Sequence, residues 1–135
     1  MPMTKMGLAV GGNEENNDIS IIILRYVPSS GDNEYYRVDL IENNVCTETR
    51  VYYAGTPLTI NGENISIERT NSHTFKVTAL NDYYLYRQPS AYYPSGETFR
   101  WMWSYGQNGS TTISSANYRN VQVCIASRNP LTLLT

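Results

Sequence analysis

Leu58-Thr59-Ile60-Asn61-Gly62-Glu63-Asn64-Ile65-Ser66-Ile67-Glu68-Arg69 is the clearest local signal in the chain. Apolar residues alternate with polar ones on both sides of an Asn-Gly pair, and such a pair supplies the positive φ values of a type I′ turn. A hairpin is expected here, with Ile65 and Ile67 facing inward. The same period of two continues outward in both directions. Residues 46–53 set Thr47, Thr49, Val51 and Tyr53 against Glu48, Arg50 and Tyr52, and residues 35–42 set Tyr36, Val38 and Leu40 against Tyr35, Arg37 and Asp39. Residues 19–27 are β-branched and apolar at both parities, the pattern of a central strand covered on each face.

Downstream, Phe75, Val77 and Ala79 share one side of residues 73–80, and residues 82–87 form a further short strand. Phe99, Trp101, Trp103 and Tyr105 share one side of residues 98–105, which reads as an aromatic seam between sheets. Residues 118–127 place Arg119, Val121, Val123 and Ile125 against Asn120, Gln122 and Cys124. Turn signals at Asn43-Asn44, Asn71-Ser72, Asn81-Asp82 and Asn108-Gly109 punctuate these strands, and no stretch carries a helical apolar period. The expectation is an all-β, antiparallel β-sandwich of jelly-roll-like form with about 8–10 strands. An immunoglobulin domain is excluded, because Trp101 lies far beyond Cys46 and Gln122, not Tyr, stands two residues before Cys124.

With 135 residues the chain fits one domain, expected over residues 19–135. Residues 1–18 read as an extended N-terminal arm, since Gly11-Gly12 and the Asn-rich acidic stretch after them break any regular pattern. Residues 131–134, after Pro130, form a short apolar tail. The arm has no apolar core and no cleavage site, so synthesis in the cytoplasm without a secretory leader is expected. Ile21-Ile22-Ile23-Leu24 is the longest apolar run and is too short for a membrane anchor. Cys46 and Cys124 are the two cysteines, expected as buried or half-buried thiols, with their pairing left open.

Charged residues make up 16% of the chain, well below the roughly 25% of typical soluble domains. Neutral hydrogen-bonding residues fill the difference, a composition suited to surfaces that meet other surfaces. Net charge is −2 and no basic block exists, so no nucleic-acid partner is expected. The 12 tyrosines outnumber the 2 phenylalanines, and Tyr35-Tyr36, Tyr52-Tyr53, Tyr83-Tyr84 and Tyr92-Tyr93 come as doublets. Within a strand such a doublet sends one ring to each face. Tyr36 and Tyr53 are expected inward, Tyr35 and Tyr52 outward, and Tyr92 and Tyr93 on a loop bounded by Pro89 and Pro94.

Catalysis finds few footholds. His73 is the only histidine, no Gly-x-Ser-x-Gly elbow exists, and the spacing of Glu48, Glu63, Asp82 and Glu97 proposes no carboxylate pair. No enzyme, metal site or cofactor is expected. The composition points instead to a structural or assembly protein, a viral or phage particle component such as a capsid decoration, head-fibre or tail protein. Its contacts would be homo-oligomeric or to neighbouring particle subunits, through Tyr35, Tyr52, Tyr92, Tyr93, Arg37, Arg50, Arg87, Leu131 and Leu133. The alternative is a carbohydrate-binding lectin or adhesin domain in which Trp101 and Trp103 stack on sugar rings. The corresponding location is a virion or assembled particle.

Overall fold

The structure is a computed structural model that describes residues 10–11, 18–27, 35–53, 56–71, 73–87, 103–114 and 121–133, with Val10, Val27, Tyr52, Thr132 and Leu133 described as backbone only. Its strands are β1 (Val10–Gly11), β2 (Ile19–Val27), β3 (Tyr35–Glu42), β4 (Val45–Tyr53), β5 (Thr59–Asn61), β6 (Ile65–Asn71), β7 (Thr74–Ala79), β8 (Tyr84–Arg87), β9 (Trp103–Gln107), β10 (Ser110–Ser114), β11 (Val121–Ser127) and β12 (Thr132–Leu133). The described residues contain no helix, hence none long and apolar enough to cross a membrane. The protein is all-β, as its sequence period implies.

Two antiparallel sheets form a sandwich. One has six strands in the order β4-β3-β2-β11-β8-β9, and the other has four in the order β10-β7-β6-β5. A third pairing joins the two termini, with Val10 opposite Leu133 and Gly11 opposite Thr132. The tail thus meets the arm of its own chain. The remaining residues of the arm before Asp18 lie outside those described.

β2 sits in the middle of the larger sheet, between β3 and β11, and its six residues from Ile19 to Leu24 are all buried. Alternation splits them. Ile22 and Leu24 join Tyr36, Val38, Leu85, Cys124 and Ala126 against Leu58, Ile60, Ile65, Ile67, Phe75, Val77 and Ile113 of the smaller sheet and its approach, and this is the main core. Ile19, Ile21 and Ile23 point the other way and cluster with Tyr86, Val123 and Ile125, with Leu131 packed against them. Both faces of the sheet are therefore apolar at its centre, which is why residues 19–27 lack a polar parity.

The turns show where Asn is needed. Asn43 and Asn44 have φ of 49° and 74° and close β3 onto β4 between the paired residues Glu42 and Val45. Asn81 and Asp82, at 56° and 67°, repeat the two positive φ values in the turn that carries the chain from β7 in the smaller sheet to β8 in the larger. Asn and Asp tolerate this left-handed region better than other non-glycine residues. The Asn61-Gly62 expectation needs correction. The β5–β6 hairpin exists, but Asn61 pairs with Ser66 and the Gly62 amide donates to the Ile65 carbonyl at 2.9 Å, so the bend is centred on Glu63-Asn64. Gly62 serves close packing: a Cβ there would lie 2.8 Å from the Ile65 carbonyl oxygen and 3.0 Å from Cδ2 of Leu40.

Asn108-Gly109 is a turn as expected, but it is a corner between sheets, carrying the chain from β9 in the larger sheet to β10 in the smaller. It is braced by the 81–83 corner: Asn108 Nδ2 donates to Asp82 Oδ1 and the Asp82 amide to Asn108 Oδ1, both at 2.8 Å. A Cβ at Gly109 would come within 2.2 Å of the Tyr105 carbonyl oxygen, so only glycine fits.

Candidate interaction surface

The described residues among those expected to make contacts do not converge. Leu133 apart, the structure divides them between the two edges of the larger sheet and its outer face.

The first group lies at the β3–β4 edge. Its anchor is Asp39, buried on the outer face next to Ile23 in the register of β2 and β3. Its carboxylate accepts from Thr49 Oγ1 at 2.7 Å, from Arg25 Nη1 at 2.8 Å and from Arg37 Nε at 3.2 Å. Burial pushes the Asp39 carboxyl up, but the Thr49 hydroxyl and the two guanidinium groups outweigh it and hold it below the ordinary carboxylate value. Both arginines remain about half exposed, so the hub presents cationic forks to solvent around a neutralised carboxylate. Sequence alternation places Asp39 with Tyr35 and Arg37 but assigns it no role. Arg37 two residues before a carboxylate on an otherwise apolar strand was the available signal.

Tyr36, predicted inward, is fully buried and packs edge-on against Phe75 with ring centroids 5.2 Å apart. Its hydroxyl shares a hydrogen bond with His73 Nδ1, which explains a tyrosine where phenylalanine would bury less polarity. His73, in the turn before β7, is thus a hydrogen-bonding residue. Tyr35 is half-buried and meets Tyr53 edge-on at 6.2 Å.

Tyr53 corrects the inward expectation, being 62% exposed. The register explains it: Tyr53 stands opposite Tyr35 and Tyr52 opposite Tyr36. Directly opposed residues share a face, so Tyr53 belongs to the outer face with Tyr35. Alternation within β4 sets the two parities apart correctly but cannot say which is inner. Val51 lies on the same outer row, opposite Arg37, and is 60% exposed. Arg50 is exposed and pairs with Glu48 at 2.6 Å along the same strand. Cys46, expected buried or half-buried, is exposed, whereas Cys124 is buried, and both thiols are free. Burial pushes the Cys124 thiol up to about 12 against the opposing pull of Arg87.

The second group lies at the opposite edge, on β8 and β9. Trp103 is 51% exposed, which corrects its assignment to a buried seam. The β8–β9 register shifts between Leu85 and Tyr86, leaving Tyr105 as the extra residue, and Gly106 takes a φ of 85°. Trp103 stands opposite Arg87, and Arg87 opposite Cys124 of the main core, so the indole is on the core side of the sheet as Tyr105 is, but on the end strand it lies beyond the buried cluster against which Tyr105 packs. The Arg87 guanidinium lies 4.4 Å from the Trp103 ring centroid and its Nε donates to Tyr105 Oη at 3.1 Å. One face of the indole is thus occupied by a cation.

Leu131 belongs to neither edge. It packs on the outer apolar cluster and its amide donates to Tyr86 Oη at 2.9 Å, pinning the start of the tail across the sheet. Tyr92, Tyr93, Phe99 and Trp101 lie outside the described residues, and Tyr52 and Leu133 are placed by backbone pairing alone. Among the described residues no group of three or more His, Cys, Asp or Glu side chains is placed to hold a metal ion. Comparison with protein families, with characterised proteins and with solved structures finds no match.

Proposed function

We propose that this chain is a non-enzymatic structural protein of an assembled particle, of the capsid-decoration, head-fibre or tail kind found in viruses and phages, and that it self-associates. The observation that carries the reading is the edge of the larger sheet. Val51 and Tyr53 on β4 are 60% and 62% exposed, beside the exposed Arg37 and the half-buried Tyr35, and Val45 at the other end of the strand is 60% exposed. Exposed apolar and aromatic side chains on a sheet edge, interleaved with arginine, have the composition of a protein contact and carry an aggregation risk if left bare. The jelly-roll form shared by many capsid and lectin domains belongs to this proposal and not to the observed topology, in which β2-β3-β4 and β5-β6-β7 run as meanders.

Light scattering of the purified protein across a hundredfold range of concentration tests self-association, with a mass above that of one 15.3 kDa chain expected at the upper end. A single-chain mass throughout would refute it. Detection of the protein in purified particles of its source would test the location.

Trp103 supports a second reading, binding of carbohydrate, because the indole face not taken by Arg87 has the exposure a stacking platform needs. A glycan array read with the native protein and with Trp103→Ala separates the two. Signals lost in the variant favour sugar, and no signals with either remove this reading.

A further inference from the structure

With nine residues, β4 is the longest of the four strands that end the two sheets; β9 and β10 have five each and β5 has three. An end strand offers a row of unpaired N–H and C=O groups to any chain that can align with it. The other end of the larger sheet is short and distorted by its register shift and by Gly106. β4 carries its own irregularity near its start, where the register shifts opposite Leu40/Ile41 and leaves Thr47 as the extra residue. From Glu48 to Tyr53 its pairing is regular.

The sequence of β4 is complementary to itself. When two identical antiparallel strands are related by a two-fold axis, one residue faces its own copy and the flanking residues pair across it. Centred on Thr49, this arrangement sets Glu48 opposite Arg50, Arg50 opposite Glu48 and Thr47 opposite Val51. Two opposite-charge pairs form at the centre. Moving the centre by one residue sets Glu48 against Glu48 or Arg50 against Arg50, so charge selects a single register.

We propose that two copies of this chain join edge to edge through β4, antiparallel and two-fold about Thr49, so that their six-stranded sheets continue as one. The irregularity at Thr47 ends the ladder, limiting it to residues 47–51 of each copy. The existing 2.6 Å contact between Glu48 and Arg50 within each chain becomes part of a four-membered ring of alternating charge. This rests on the assembly reading and names the partner and the register.

Charge reversal tests it. In Glu48→Arg, each arginine at position 48 faces Arg50 of the other copy, and in Arg50→Glu each new carboxylate faces Glu48. Sedimentation velocity should show each single variant about tenfold or more weaker in dimerisation than the native chain. An equimolar mixture of the two variants should dimerise again, because both facing pairs regain opposite charge, and so should the double variant Glu48→Arg/Arg50→Glu. Circular dichroism spectra should match the native protein in every case, and so should melting at concentrations low enough for the native chain to be monomeric, since neither side chain is buried. A native chain that associates while the single variants associate equally well overturns the β4 pairing and leaves assembly through another surface standing. Variants that weaken but do not recover on mixing overturn it too. A native chain that stays monomeric removes both readings.

Discussion

The two faces of the six-stranded sheet use similar residues to different ends. On the inner face Ile22, Leu24, Tyr36, Val38 and Leu85 are all buried beneath the smaller sheet. On the outer face the character changes from strand to strand. Ile21, Ile23, Val123, Ile125 and Tyr86 form a buried cluster over β2, β11 and β8, whereas β3 and β4 present Arg37, Val51 and Tyr53 to solvent. Asp39 stands at the boundary, directly opposite Ile23, its charge met by two arginines and a threonine. Tyr36 and Tyr53 make the contrast plainest: the same side chain is core in one strand and surface in the next. What covers a position decides its burial, and identity decides only what burial is worth.

The largest expected effect separates those two tyrosines. Tyr36→Ala should lower unfolding free energy in urea by about 3–5 kcal/mol, the usual cost of deleting a buried aromatic ring, whereas Tyr53→Ala should change it by no more than about 0.5 kcal/mol. Equal losses would mean that the inner and outer faces are not distinguished as described.

The boundary is probed by Asp39→Asn, which removes charge-assisted hydrogen bonds and should cost roughly 2 kcal/mol at pH 7. Asp39 is held below its ordinary value in the folded protein, so its contribution is present above about pH 4, where the unfolded chain is ionised, and is lost as pH falls through the folded value. Urea titrations of native and variant protein should therefore converge in acid.

Cys124 and Cys46 test the same contrast through chemistry. Cys124, pushed up to about 12, stays protonated while the unfolded chain ionises near its ordinary value. Its stabilising effect is complete below that value and is lost as pH rises toward 12, at most about 1.4 kcal/mol per pH unit. A Cys124→Ala variant should lack that part of the alkaline slope. In the native state a thiol reagent should modify Cys46 readily and Cys124 only on unfolding, as the mass of each labelled peptide would show. The smallest effect is expected at the far edge, where Trp103→Ala should cost below about 1 kcal/mol, since the indole is half exposed and loses mainly its contact with Arg87.

Much of this architecture is legible in the residues. The two-sided apolar run at 19–27 predicts the central strand, Ile65 and Ile67 are inner as their parity implies, and Asn43-Asn44 and Asn81-Asp82 mark turns with the positive φ values Asn and Asp tolerate. Other features are not legible because they depend on neighbours distant in sequence. Tyr53 faces out because it is paired with Tyr35, a relation between strands. Trp103 is exposed because it stands on the end strand β9, on the core side of the sheet but beyond the buried cluster, a position that only the strand order fixes. Gln122 and Cys124, assigned to a polar parity of β11, are buried because both faces of that strand are covered.

The sequence by itself determined the all-β class, the period of two in each strand and the places where the chain turns. These come from backbone geometry and residue chemistry, which act over a few neighbouring residues. The tertiary structure alone decided the strand order, the inner and outer sense of each alternation, the Asp39 hub and the separation of Arg37 and Arg50 from Arg87 at opposite edges of the larger sheet. Each of these is a relation between strands brought together only by burial of the shared core, and alternation within one strand carries no information about which face that core will occupy.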